Sequence, residues 1–206
     1  MSADPARKRA QYTWTDYRSW PDTDRWQLIN GEAYATTPAP TTRHQKLASR
    51  FTHHFENHFD GKPCDVYPAP TDVKLTDEDV VQPDIVIVWD PNQITETHIE
   101  GPPTLVVEIL SPSTELLDRG RKLDLYARSG VQEVWLVRPY PSLLEIFVLK
   151  DSAYLRAHAF TRDQPFESPT FPDLELDLET LFEFPIPPEE RIDVVKEGRP
   201  PYVATA

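Results

Sequence analysis

Three residues have the types and spacing for chemistry. Pro83-Asp84 opens an apolar run, Ile85 to Trp89. Glu108 sits inside the next such run, 104–110, and Lys122 follows fourteen residues later, on the helix expected there. Two carboxylates presented by neighbouring strands, with a lysine close by, suit magnesium-dependent phosphodiester hydrolysis. Hard divalent cations bind oxygen ligands and offset the charge that builds on a phosphate under attack.

The elements that must position these residues follow from local pattern. Asp84-Ile-Val-Ile-Val-Trp89 and Thr104-Leu-Val-Val-Glu-Ile-Leu110 are short β-branched runs, and 90–103 between them is rich in Pro, Asn and Gly turn chemistry. They read as antiparallel neighbours. With Trp89 paired near Leu105, Asp84 falls opposite Leu110 or Glu108, and the period-two alternation of side chains puts both acids on one face. A carboxylate among Val106, Val107, Ile109 and Leu110 costs several kcal/mol if ionised and unpaired, on the order expected for burying a bare charge, so a metal or a lysine is its natural partner. The bland alternative is a Glu108 that faces solvent or pairs with an arginine.

Ser111-Pro112 ends the second run and supplies a helix start, and Gly130 closes that helix. Leu116, Leu123 and Ala127 fall on one stripe; Asp118, Lys122 and Tyr126 fall on another, at i, i+4, i+8. Lys122 can reach back towards the end of the Glu108 strand and stabilise developing charge. An Asp118–Lys122 surface pair is the alternative.

The stretches Pro83-Asp84-Ile-Val-Ile-Val, Val-Val-Glu108-Ile-Leu-Ser111-Pro112-Ser113-Thr114, then Asp118, Lys122, Tyr126, Gly130-Val131 and Glu133-Val-Trp135 resemble the Uma family of restriction-endonuclease-like nucleases, over roughly Trp26 to Leu149. Leu28-Ile-Asn30-Gly31-Glu32-Ala33, followed by Pro38, Pro40 and His44, is similar to that family's opening hairpin and helix. The family belongs to the PD-(D/E)XK superfamily. The resemblance therefore implies Asp84 and Glu108 as Mg²⁺ (or Mn²⁺) ligands, joined by the backbone carbonyl of Ile109, with Lys122 as a displaced catalytic lysine. The superfamily pattern has a lysine two residues after the glutamate, where this chain has Leu110. Arg138 stands where relatives often carry an acidic residue.

Other candidates carry less. Asn30-Gly31 is on its own a strong two-residue hairpin signal, and Glu32 beside it is either a third acid facing the site or a hairpin surface residue. His44 begins a helix expected to run to about Phe59 and could approach the acids. His54 and His58 have metal-ligand spacing, but no third ligand is in sequence reach and a solvated face beside Leu47, Phe51, Phe55 and Phe59 is the better reading. The run from Asp72 to Asp79 reads as a solvated acidic turn without chemistry.

Composition bounds the rest. With 206 residues the chain makes one domain, expected over 16–184, with tails at 1–15 and, proline-rich, at 185–206. A single cysteine excludes an intrachain disulfide. No apolar stretch reaches membrane-spanning length and the N-terminus lacks a secretory core, so a cytoplasmic protein with no membrane partner is expected. A net charge of −13 weighs against broad DNA binding, though Arg119, Arg121, Lys122 and Arg128 gather on the helix beside the site. Strands are expected at 133–137, 143–149 and 153–160, the last two as a hairpin, and an edge strand with a short helix within 171–182.

These features together point to an α/β, restriction-endonuclease-like domain with a mixed central β-sheet flanked by helices. The expected function is divalent-metal-dependent cleavage of nucleic acid, with DNA the favoured partner and with Glu32, His44, Asp118 and Tyr126 as auxiliary residues. Trp135, Phe147 and Tyr154, if exposed, would mark a homodimer. The alternatives are a catalytically silent scaffold of the same fold that binds a partner, and a hydrolase of small phosphate esters.

Overall fold

The computed structural model describes residues 11–21, 25–35, 40–112 and 114–184. In chain order the elements are α1 (Trp14–Tyr17), β1 (Trp26–Ile29), β2 (Glu32–Ala35), α2 (Thr42–Phe59), β3 (Asp65–Pro68), β4 (Val73–Thr76), β5 (Asp79–Val81), β6 (Ile85–Val88), β7 (Ile99–Glu100), β8 (Leu105–Ile109), α3 (Glu115–Leu117), a π turn (Asp118–Lys122), α4 (Leu123–Ser129), β9 (Glu133–Arg138), β10 (Leu143–Lys150), β11 (Ala153–Phe160) and α5 (Leu178–Leu181).

The strands β6 and β8 pair antiparallel, with Ile85 opposite Val107 and Ile87 opposite Leu105. One further step along that register sets Asp84 across from Glu108, as the alternation requires. β9 lies parallel to β8 and the β10–β11 hairpin extends the sheet, in the order β11-β10-β9-β8-β6-β3. This is the expected mixed sheet. A second, five-stranded sheet in the order β2-β1-β5-β4-β7 was not anticipated. The β1–β2 hairpin turns at Asn30 and Gly31, both with positive φ (52° and 70°), the geometry for which Asn-Gly is chosen.

Each face of the six-stranded sheet carries its own core. Ile85, Ile87, Leu105, Val107 and Ile109 pack against Leu47, Phe51, Phe55 and Phe59 of α2 and against Phe171, Leu174 and Leu181 of the C-terminal segment. Val86, Val106, Leu110 and Leu136 face the other way, onto Leu125 and Tyr126 of α4 and onto Ile29, Val73 and Val81 of the smaller sheet. Glu108 belongs by alternation to this second face.

Several expectations change. The helix after Ser111 is not one regular α-helix: it widens into a π turn at Asp118-Arg-Gly-Arg-Lys122, a distortion that proteins place at functional sites. Asp79 is buried rather than solvated, because Arg128 grips its carboxylate with two bonds of 3.0 and 2.8 Å and Asn30 N–H donates to it. Residues 11–15 are tied in rather than a free tail, Tyr12 N–H donating to Gly31 and Trp14 N–H to Asp77. Within 171–182 the helix α5 forms but no strand does. Trp135 is fully buried, and Phe147 and Tyr154 are partly buried against the core. The expected tail at 185–206 lies outside the described residues. No helix among the described residues is long and apolar enough to cross a membrane.

Candidate active site

Strand ends, α2 and the π turn converge on a cavity of about 1070 Å³, whose lining includes His44, Asp84, Glu108, Ile109, Asp118 and Lys122. β6 and β8 deliver the two acids side by side: Asp84 Oδ2 accepts the Ile109 backbone N–H at 2.7 Å. Glu108 is buried, and its Oε1 accepts Lys122 Nζ at 2.9 Å and the Tyr126 hydroxyl at 2.5 Å. Lys122 Nζ also lies 3.1 Å from Asp118 Oδ1, which has no aligned hydrogen-bond donor. The stripe Asp118, Lys122, Tyr126 thus meets Glu108 through the π turn and α4. Glu108, Asp118 and Lys122 are each no more than 3% exposed.

The electrostatics are unbalanced. Three carboxyl groups, Asp84, Glu108 and Asp118, share one ammonium. Burial lifts the pKa of Glu108 well above the ordinary carboxylate range, Asp118 and Asp84 add to that, and Lys122 opposes it. Burial works against the Lys122 ammonium too, but the charges of Glu108 and Asp118 outweigh it and hold the proton more firmly than usual. Burial, with Glu108 next to it, keeps the Tyr126 hydroxyl protonated and donating. Additional positive charge is what the cluster lacks.

His44 is positioned by the first turn of α2, where Thr41 Oγ accepts its backbone N–H. Its Nε2 is 3.2 Å from Asp84 Oδ2, while its buried Nδ1 has no partner. Burial disfavours the imidazolium, but the hydrogen bond and charge of Asp84, then Glu108 and the Ile109 backbone, outweigh it and raise the pKa. Glu32 does not line the cavity; it accepts the Tyr34 hydroxyl at 2.7 Å and Arg121 at 3.1 Å. The helix arginines, expected beside the site, are each engaged internally: Arg119 with Glu115 and Glu145, Arg121 with Glu32, Arg128 with Asp79. His58 is held by Lys62 at 2.8 Å.

A divalent ion fits the donor set. The Asp84 and Glu108 carboxylates and the Ile109 carbonyl are hard oxygen donors, and three carboxyl groups beside one ammonium point the same way. No group of three or more His, Cys, Asp or Glu side chains among the described residues is arranged to hold an ion. An ion here would keep several waters, as Mg²⁺ does.

A family model described as "Putative restriction endonuclease", Uma2, matches residues 14–179. The chain belongs to the Uma2 family. Among relatives of this Uma2 protein, an uncharacterised protein of Synechocystis sp. is 30% identical over 125 residues, a match spanning 59% of this chain and 65% of that relative, short of two thirds of its length. A crystal structure from Anabaena variabilis, described as a "putative nuclease", superposes with a TM-score of 0.68 at 19% identity, covering 82% of this chain and 97% of that one, and shows that the two share a fold.

Sequence reasoning missed the cavity walls. Trp26, Gln82 and the stripe Gln45, Ser49, Thr52 of α2 line the same space. The stripe was legible at i, i+4, i+7, but nothing local separates it from a solvated face.

Proposed function

We propose that this Uma2 protein is a divalent-metal-dependent nuclease that hydrolyses phosphodiester bonds, with DNA as the favoured substrate. The observation that carries this reading is the cluster of buried Glu108 and Asp118 paired with a single Lys122, with half-buried Asp84 beside them, all lining the cavity. Asp84, Glu108 and the Ile109 carbonyl would hold Mg²⁺ or Mn²⁺, the kind of ion that restriction-endonuclease-like families generally use. A bound ion supplies Lewis acidity, offsetting phosphate charge and making water a better nucleophile.

The chain's own groups do the rest. Ile109 N–H and His44 hold Asp84 in one orientation. Lys122 and Tyr126 hold Glu108, and the Lys122 ammonium, kept protonated by its acidic neighbours, offsets charge on the phosphate in the transition state. A lysine from the π turn thereby meets the glutamate despite Leu110 at the superfamily's lysine position.

Supercoiled plasmid and linear single-stranded DNA, incubated with Mg²⁺, Mn²⁺ or EDTA, test the reading. Wild type is expected to cut with metal and not with EDTA, and Asp84→Ala and Lys122→Ala to lose at least about a hundredfold in rate, the loss typical for a single charge-stabilising group. Absence of cutting in every metal, or full activity in Asp84→Ala, would turn the assignment to the silent, partner-binding scaffold.

A further inference from the structure

The cavity is larger than the acidic cluster needs, and its remaining walls carry features that hydrolysis alone does not use. We propose that the substrate is a single unpaired nucleic-acid strand, one base of which enters the cavity against Trp26, and not a duplex. This rests on the phosphodiester reading of the site and goes on to name what the site accepts.

Size and depth come first. About 1070 Å³ lies at the upper end of pockets that enclose a small ligand. It has room for a nucleotide or two and not for a double helix. Glu108, Asp118 and Lys122 line it with 3% exposure or less and Asp84 is half-buried, so a phosphodiester has to come in to them.

The walls suit an exposed base. Trp26 lines the cavity, its ring backed by the edge of Trp20 at 5.8 Å and 70°. An indole is a stacking surface for any base, which an unpaired strand offers and a duplex keeps stacked inside. On α2, His44 Nδ1 and Thr52 Oγ are both buried without a hydrogen-bond partner, eight residues apart on the cavity side, with Gln45 and Ser49 between them. They are two of the four buried side-chain atoms without a hydrogen-bond partner among the described residues; a third, the Asp118 oxygen on the same cavity, is ion-paired with Lys122 at 3.1 Å. A turn of the Thr52 side chain into the cavity would offer its hydroxyl, beside the exposed Gln45 and Ser49, to a base edge or a sugar.

Charge argues against a duplex. Double-stranded DNA carries about one negative charge per 1.7 Å and is held by rows of cations. Among the described residues lining the cavity, Arg25 and Lys122 are the only arginine and lysine, and Lys122, paired with Glu108 and Asp118, serves the one phosphate under attack and not a row of them. Arg119, Arg121 and Arg128 are bound in internal ion pairs, and Glu56 adds a negative charge to the wall.

The test is fluorescence anisotropy with a labelled 12-nucleotide single-stranded DNA and the same sequence as a blunt duplex, with Ca²⁺ replacing Mg²⁺ to slow chemistry. The single strand is expected to bind at least about tenfold more tightly than the duplex, Trp26→Leu to weaken it about tenfold, and Trp26→Phe to retain most of it. Thr52→Val, nearly isosteric, is expected to weaken strand binding about threefold and serves if Trp26→Leu fails to fold. Equal or tighter duplex binding, no single-strand binding, or unchanged binding in Trp26→Leu or Thr52→Val would overturn the proposal. A strand that binds this way but is left uncut in Mg²⁺ and Mn²⁺ would remove the hydrolysis reading and support this one. Strand and duplex cut at equal rates would do the reverse.

Discussion

Glu108 is the residue on which the site turns. It is surrounded by apolar strand neighbours, and the Lys122 ammonium and the Tyr126 hydroxyl, both donating to its Oε1, keep it tolerable. Tyr126→Phe removes only the hydroxyl. Partners that orient a metal ligand are worth about 10–100-fold in affinity or activity, so this variant is expected to weaken Mn²⁺ binding by that range in calorimetry while its melting temperature stays close to wild type. Unchanged binding would mean that Tyr126 supports the core alone. Asp84, Glu108 and Lys122 were legible because strand alternation and helical spacing are local patterns. Asp79 was not: its partner Arg128 is 49 residues away, and without that ion pair an acidic turn reads as solvated.

At the scale of elements, the sheet register and the π turn position the cluster. The strands at 85–88, 105–109, 133–138 and 143–160 were legible from β-branched runs and turns. β3, β4 and β5, at three or four residues each, are too short to show a period; β4 and β5 pair with each other as a hairpin, and each strand also depends on a partner more distant in the chain, β6 for β3, β7 for β4 and β1 for β5. The widening at Asp118–Lys122 was equally hidden, since a stripe at i, i+4, i+8 reads as regular helix. β10 is joined to this region through Glu145, which is buried and accepts from Arg119 and, at 3.0 Å, from Arg156. Burial raises its pKa, but the two arginines outweigh that and the net shift is downward. A lowered folded pKa contributes stability above the unfolded value of about 4.3 and loses it as pH falls through the folded value. Glu145→Gln is therefore expected to cost about 1–2 kcal/mol at pH 7, discounted from a fully buried pair because both arginines are partly exposed, or about 2–8 °C in melting temperature. The gap from wild type should narrow as pH drops below about 4. A gap that widens in acid would contradict the assignment.

At the scale of the whole molecule, the C-terminal segment closes the α2 face of the large sheet. Glu133 anchors it: this buried carboxylate accepts from Trp135 Nε1 at 2.5 Å, Ser168 Oγ at 2.9 Å and Thr170 N–H at 3.0 Å. Phe171, Leu174, Leu176, Leu178, Leu181 and Phe182 then pack on that core. At about 1.5–3 kcal/mol for each such side chain, their removal matches the entire stability of a typical domain. A chain ending at residue 164 is expected to show no cooperative melting transition and to bind a hydrophobic dye; a cooperative transition near that of wild type would show the segment to be dispensable. The lone short helix and proline-spaced apolar residues gave little local signal for this role, because the segment acquires its conformation from the sheet it covers.

The measurement closest to the central claim is hydrolysis of a small chromogenic phosphodiester, bis(p-nitrophenyl) phosphate, while Mn²⁺ is titrated into wild type and Glu108→Gln. Such a substrate needs no particular strand or duplex, so it reads the metal chemistry alone. A rate that rises and saturates with Mn²⁺ in wild type, and falls at least about a hundredfold in Glu108→Gln, is the expected result. No hydrolysis at any Mn²⁺ concentration, or equal rates in the two proteins, would contradict a divalent-metal phosphodiesterase site at Asp84 and Glu108.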